Sequence, residues 1–295
     1  MKLIKAIFVL LVAINVVMAN ENQFSVFDGK GNPADLDQIA AAMAESDVVF
    51  LGENHDDSVG HLVQLMIFQK IVAKYASERN VALSLEMFER DVQTVLNEYL
   101  NDQVSEKHFL AAARPWGNYA TDYRPLVELA KSKSLPVIAA NAPRRYVNMV
   151  SRLGRDSLFK LSPEAKQWLA PLPYSEPSAA YASKFAALMG MTGEGSGSHN
   201  PIIYSQALWD ATMAHSISGY LWNNDKALVV HLNGGFHTEK RLGTPEHLSY
   251  YKKDAKFLVV TIRYEEDFAT FDQAKHAGIG DFVVLTDASQ PRSKQ

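Results

Sequence analysis

Six short apolar runs, each followed by a polar residue or glycine, constrain this chain more than any other feature. They cover residues 48–51, 81–85, 136–140, 227–232, 257–262 and 282–285. Largely apolar runs of this length read as strands buried on both faces. The stretches between them carry helical spacing. In 33–46, Leu36, Ile39, Ala40 and Met43 share a face. In 59–75, Leu62, Leu65, Phe68, Val72 and Tyr75 do so, with Lys70 and Lys74 opposite. Further helical patterns lie at 91–99, at 123–132 and through 143–222. Strands alternating with helices require right-handed crossovers, so the expected fold is α/β, with a largely parallel central sheet flanked by helices. The long stretch between the third and fourth strands, about 143–222, is expected to be a helical insertion that caps the sheet. One domain over 20–295 is expected.

Composition narrows the chemistry. With 295 residues and 47% hydrophobic content, the chain has material for a full core. Its net charge of -4 gives no basic excess to attract nucleic acid. Cysteine is absent, which excludes disulfides, thiolate metal sites, a Cys nucleophile and a lipid-modified cysteine. Any metal must then be held by His, Asp, Glu or Tyr. At the start, Lys2 and Lys5 precede an apolar run at 6–17 broken only by Asn15. Val17-Met18-Ala19 places small residues at -3 and -1, so a signal peptide over 1–19 is expected. The run is shorter than the roughly 20 residues that span a bilayer. The expectation is a soluble exported protein, periplasmic and not a lipoprotein. Residues from Ser289 onward are polar and expected to fray.

Open parallel sheets bind ligands beyond the carboxyl ends of their strands. Four expected strand ends carry unusual polar residues. The first gives Gly52-Glu53-Asn54-His55-Asp56-Asp57, and the second gives Glu86, then Glu89 and Arg90. The third gives Asn141, Arg144 and Arg145, and the fourth gives Asn233-Gly234-Gly235-Phe236-His237. Gly-x-x-His therefore occurs twice, each time after a buried strand. One copy is a common accident, whereas two copies plus a carboxylate at a third strand end point to a polar functional cleft. The glycines are expected to allow backbone shapes that turn each His over the sheet edge. If the strands are neighbours, Glu53, His55, Glu86 and His237 converge. Two imidazoles with carboxylates suit a first-row divalent ion, with His55, Glu86 and His237 as ligands. The same set suits metal-free acid–base work, and both alternatives stay open. Asp56 and Asp57 read as helix caps, and Glu89-Arg90 as a surface pair.

Two other stretches need weighing. The glycine-rich segment 193–197 lacks the Gly-Lys-Ser/Thr of a phosphate loop and follows a helix, so it reads as a mobile loop, with His199 beside it. Residues 114–125 are dense in aromatics and arginine. They can wall a flat anionic ligand or simply pack as a loop. On the helix from Tyr204 to Trp222, Gln206 and Asp210 border an apolar stripe and are placed to line the cleft.

Five motifs, LGENHDD (51–57), LEMFERDVQ (85–93), ANAPRR (140–145), QALWDATMAHSI (206–217) and NGGFHTEKRLGTPEHL (233–248), occur in an order that resembles the ChaN-like family of the haem-binding-uptake/Tiki (erythromycin-esterase-like) superfamily. The resemblance runs from about residue 31 to about 285. It implies an α/β fold with a helical insertion, and haem binding linked to iron uptake. Members are often lipoproteins, a route closed to a chain without Cys. Haem iron would be held by a Tyr or His, with Tyr119 and Tyr123 as candidates and Arg114, Arg144 and Arg145 as partners for propionates. An outer-membrane or periplasmic haem-uptake system would be the partner, and a homodimer sharing haem is compatible. Superfamily hydrolases of the Tiki and erythromycin-esterase types use paired Gly-x-x-His motifs and a glutamate, matched here by His55, His237 and Glu86. The alternative expectation is therefore a metal-dependent hydrolase, with Glu53 assisting.

Overall fold

The computed structural model describes residues 23–190 and 201–294. The expected signal peptide and the 193–200 segment with His199 lie outside the described residues. One sheet of eight strands has the order β2-β1-β8-β7-β3-β6-β4-β5. The six apolar runs become β3 (Val48–Glu53), β4 (Asn80–Glu89), β5 (Val137–Asn141), β6 (Ala227–Gly234), β7 (Phe257–Glu265) and β8 (Phe282–Asp287). All six are mutually parallel. The expectation of a largely parallel sheet needs one addition. β1 (Phe24–Asp28) and β2 (Pro33–Ala34) run antiparallel on the β8 edge. Only Val26 and Phe27 of β1 are buried, so this edge strand lacks the continuous apolar run that marks the others.

Eleven α-helices are described. Helix α1 (Leu36–Ala42) precedes β3, and α2 (Ser58–Tyr75) joins β3 to β4. Next come α3 (Gln93–Leu100), α4 (Glu106–Ala113) and α5 (Arg124–Ser132), which lead to β5. Between β5 and β6 lie α6 (Arg144–Leu153), α7 (Pro163–Lys166), α8 (Ala179–Leu188) and α9 (Pro201–Asn223). The last two are α10 (Thr244–Tyr251), before β7, and α11 (Gln273–His276), before β8. Asp35 caps α1 through a box in which its side chain takes the Gln38 N–H while the Gln38 side chain takes the Asp35 N–H. Helix α2 buries Val63, Ile67, Phe68, Ile71 and Val72, while Leu62 and Leu65 are only half-buried. Its inward stripe is thus rotated from the spacing-based one, and it carries two polar residues, His61 and Gln64, into the core.

Side chains alternate across β3. Val49 and Leu51 face the α1–α5 layer, packed with Ile39, Val63, Ile67, Leu83 and Val230. Val48 and Phe50 face the other layer, packed with Ala214 and Ile217 of α9 and Leu248 of α10. Full burial of each such side chain contributes about 1.5–3 kcal/mol. Among the helices between β5 and β6, α6 and the middle of α9 share a satellite core around Val147, Val150, Leu158, Tyr174 and Leu208.

Topology places the site. The chain steps from β3 to β4 to β5 toward one edge. It then returns to insert β6 between β3 and β4 and continues to β7. Right-handed crossovers in opposite directions put their helices on opposite faces. The chains leaving neighbouring strands β3 and β6 therefore diverge, and a crevice opens between their carboxyl ends. Both Gly-x-x-His motifs sit there.

Candidate functional site

The two motifs make room for each other. A side chain on Gly234 would meet the His55 ring, with its Cβ only 2.7 Å from Nε2. A side chain on Gly52 would meet Thr238 Oγ1 at 2.7 Å and Gly235 Cα at 3.1 Å. Gly234 has φ -59°, a value open to any residue. The expectation that these glycines supply special backbone shapes is corrected. They are needed for close approach, not for a left-handed φ.

His55 presents its Nδ1 to Glu53 Oε1 at 2.9 Å, and its side chain is 33% exposed. Glu53 is buried and takes two further donors. The Tyr123 hydroxyl donates to Oε1 at 2.6 Å, and Gln64 Nε2 donates to Oε2 at 2.6 Å. His61 stands behind, with Nδ1 3.5 Å from Glu53 Oε2 and Nε2 3.3 Å from Asp122 Oδ2. Burial would lift the Glu53 pKa, but the imidazoles of His61 and His55 hold it down at about 2. Burial would lower that of His61, yet Glu53 and Asp122 carry it up to about 9. For His55 burial again pulls down, and Glu53 together with Glu86 raises it. The neighbouring backbone is tied as well, since Asn118 Nδ2 donates to the His55 carbonyl at 3.0 Å and to Asp122 Oδ2 at 2.7 Å.

The second half repeats the device with different parts. His237 Nδ1 lies 2.8 Å from Asp210 Oδ1, and Asp210 is fully buried. Asp210 also accepts from the Tyr181 hydroxyl at 2.5 Å and from Thr244 Oγ1 at 2.8 Å. Burial would raise the Asp210 pKa, and His237 and Tyr181 lower it. Burial would lower that of His237, while Asp210 and Glu86 lift it to about 9. Between the halves, Glu86 places Oε1 3.7 Å from His237 Nε2 and accepts the Gly234 N–H on Oε2 at 2.8 Å. Each imidazole is thus oriented through Nδ1 by a carboxylate that also holds a tyrosine hydroxyl, leaving Nε2 for other chemistry.

Glu53, His55 and His237 line an open cleft of about 760 Å³, within the roughly 300–1,000 Å³ of small-molecule pockets. Phe185, Leu188, Met189, Ile202, Phe236 and Tyr264 supply apolar walls, and Lys240 and Arg263 stand among the basic residues. Leu188 and Met189 are at least half exposed, with open apolar surface at the mouth. Gln206 lines the cleft as expected, whereas Asp210 lies buried behind His237.

The other expected site residues distribute differently. Tyr119 and Tyr123 lie on a π-helical turn and are buried in the main core. The Tyr119 hydroxyl has no partner among the described residues, and that of Tyr123 is committed to Glu53. Burial pushes both phenols far from ionisation, helped at Tyr123 by Glu53. Arg114 pairs with Glu89 at 3.0 Å and Asp91 at 2.8 Å, and Arg145 pairs with Asp91 at 2.5 Å. Glu89-Arg90 is not a surface pair, because Arg90 turns instead to His215 Nδ1 at 3.0 Å. Arg144 is exposed and forms no ion pair among the described residues. Its guanidinium sits 5.3 Å from the Trp116 ring, which meets the His55 ring edge-on at 4.9 Å. Asp57 occupies the cap position of α2 without capping it, and its Oδ2 accepts from Thr286 at 2.6 Å instead. His55, Glu86 and His237 do come together, but among the described residues no group of three or more His, Asp or Glu is placed to hold a metal ion. Sequence reasoning missed His61, Gln64, Asn118, Asp122 and Tyr181. Polar residues on an otherwise apolar helix stripe were the available signal for His61 and Gln64.

Among solved structures, the chain is similar to one of cofacial heme binding to ChaN of Campylobacter jejuni. The identity is 17% and the TM-score 0.67, over 91% of this chain and 98% of that one. A succinoglycan biosynthesis protein matches at 11% identity and TM-score 0.51, over 96% and 99%. An erythromycin esterase in its open conformation matches at 13% identity and TM-score 0.46, over 90% and 83%. At such identities the likeness is one of fold. No curated protein sequence matches. Residues 39–248 match the family model described as haem-binding uptake, Tiki superfamily, ChaN, and the chain belongs to that family.

Proposed function

We propose that this chain is an exported haem-binding protein that assists haem or iron uptake. One observation carries the reading within this family: His55 is the partly exposed imidazole of the cleft, held through Nδ1 by Glu53. A neutral imidazole whose Nδ1–H is fixed on a carboxylate offers its Nε2 lone pair, the donor that haem iron accepts. His55 thus fits the group, and bound haem would supply the iron that this lone pair meets. The two tyrosines do not fit as iron ligands, since both side chains are buried. The open apolar mouth suits the macrocycle face, and Lys240, which lines the cleft, and Arg144, beside the Trp116 ring that meets His55, are exposed cations suited to propionates. Apolar surface at the mouth also suits a second copy, with haem between two subunits. The similar ChaN of Campylobacter jejuni binds heme cofacially, which is compatible with that arrangement. Export by residues 1–19, a periplasmic location and an uptake-system partner belong to the same proposal.

Hemin titration of residues 20–295, followed at the Soret band, tests it. Saturable binding with a shifted band is expected, weakened at least tenfold, about 1.4 kcal/mol, in His55→Ala. Unsaturable adsorption overturns the reading. A second reading, hydrolysis at the same cleft, draws support from the two carboxylate-oriented imidazoles beside Glu86. It requires turnover that His237→Gln removes. Loss of that turnover on chelation would identify the metal-dependent form, and survival would identify acid–base catalysis by the side chains alone.

A further inference from the structure

Residues from Ser289 onward are polar and expected to fray, yet Pro291–Ser293 are stitched across the loop that follows His55. Asp57 and Arg292 form an antiparallel bridge. The Ser293 N–H donates to the Asp56 carbonyl at 2.9 Å, and Ser58 Oγ donates to the Pro291 carbonyl at 2.8 Å. Arg292 does two things. Its guanidinium lies 3.6 Å from the ring centroid of Tyr264, a cleft-wall residue, and its Nη1 is 3.7 Å from Asp57 Oδ1. That oxygen is buried and has no hydrogen-bond partner among the described residues, so Arg292 is the cation that offsets it.

Ser293 reaches further in. Its hydroxyl donates to Asp122 Oδ1 at 3.0 Å. The other oxygen of Asp122 receives Asn118 at 2.7 Å and faces His61 Nε2 at 3.3 Å. Asn118 Nδ2 and His61 Nε2 both approach the His55 carbonyl, at 3.0 and 3.1 Å. His61 and Gln64 back Glu53, which orients the His55 ring. The segment therefore meets His55 along two routes: the backbone through Asp56 and Asp57, and the imidazole through Asp122, His61 and Glu53. Polar networks in low dielectric transmit the loss of one donor to the whole set.

We propose that Pro291–Ser293 is a positioning strap for His55, which aims its imidazole into the cleft from a segment far away in sequence. The ligand readout below rests on the haem reading; the ligand-free readout does not. The experiment uses the full chain with Ser293→Ala, Arg292→Ala and Ser293→Thr. The ring nitrogen resonances of His55 and His237 are recorded without ligand, and hemin is titrated separately. Ser293→Ala and Arg292→Ala should move the His55 ring signals, leave those of His237 in place, and weaken hemin binding about two- to tenfold, the scale of one hydrogen bond. Ser293→Thr keeps the hydroxyl and should restore both readouts. Unchanged His55 signals in the first two variants overturn the strap. So does equal movement at His55 and His237, which would mark general loosening. If the wild-type chain takes up no hemin while the His55 signals still move in Ser293→Ala, the strap stands and the haem reading falls.

Discussion

The His55 half and the His237 half use one device under opposite conditions of exposure. In both, a strand-end imidazole gives Nδ1 to a carboxylate that also holds a tyrosine hydroxyl. Glu53 comes from the end of β3 itself, two residues before its histidine. Asp210 comes from α9, across the other face of the sheet. His55 is one-third exposed beside Trp116, whereas the His237 side chain is 7% exposed between Trp209, Phe236 and Glu86. Identical local motifs therefore do not assign identical work. The exposed copy is the one that the haem reading proposed above assigns to the ligand, and the enclosed copy holds its charge pair inside the fold.

The largest effect should separate these roles. Asp210→Ala leaves His237, Tyr181 and Thr244 without their common buried acceptor, and losing one partner of a buried ion pair costs about 3–5 kcal/mol. Urea unfolding should register that loss. His55→Ala removes a partly solvated ring and should stay within about 1 kcal/mol by the same measurement, while hemin binding falls. If His55→Ala proved the more destabilising, the division between ligand-facing and structural halves would be wrong.

Stability against pH sharpens the comparison next. His61 and His237 are lifted from 6.5 to about 9, so their contributions are complete below pH 6.5 and are lost as pH rises through 9. His231, fully buried between Phe50 and Ser84, is pushed by burial from 6.5 to about 3. In the fold it stays neutral down to about pH 3, whereas the unfolded chain protonates it below 6.5, so this contribution is complete above pH 6.5 and is lost as pH falls toward 3. Glu53, lowered from 4.5 to about 2, adds a further loss at the acid extreme. Unfolding midpoints should therefore peak at about pH 6–7, with limbs of about 1.4 kcal/mol per pH unit for each linked proton. His61→Gln should flatten the alkaline limb, as should His237→Gln. A flat alkaline limb in the wild-type chain would break the argument for both charged imidazoles.

The sheet was legible because β3 to β8 are largely buried on both faces and so carry apolar runs interrupted only by Ser84, His231 and Thr261. β1 was not, since an edge strand with two buried residues has no such run. Glu53, His55, Glu86 and His237 could be read because residue type and strand-end position coincide within a few residues. Asp210 was visible only as a polar margin on a helix, as its task depends on a turn of chain at Gly243 whose φ is 73° and whose Cβ would strike Asp210. Aromatic density marks the segment around Tyr123, but which way a π-helical turn points its side chains is a tertiary outcome. The strap was hidden for a similar cause, because Ser293 and Asp122 are polar residues whose pairing needs long-range closure.

The third test compares the two relay tyrosines. Tyr123→Phe and Tyr181→Phe each remove a hydroxyl that donates to a buried carboxylate, a bond type that contributes about 1.5–3 kcal/mol. The losses should be alike in urea unfolding, but only Tyr123→Phe should alter hemin binding, because only its carboxylate orients the exposed imidazole. Equal effects on hemin would erase the functional difference between the halves.

The smallest expected effect is at Tyr119. Its hydroxyl is buried within the core of Phe88 and Phe109 and has no partner among the described residues. A buried donor left unmade has already lost its hydration, so removing it relieves a penalty and does not break a bond. Tyr119→Phe should leave stability unchanged or raise it slightly, by about 1 kcal/mol at most, and should leave the hemin spectrum as in the wild type. Tyr123→Phe, four residues away on the same π-helical turn, should lower stability. A Tyr119→Phe chain whose Soret band shifted would mean that this turn opens to hand its phenol to the iron. On the haem reading, that outcome would move the iron ligand from His55 to Tyr119.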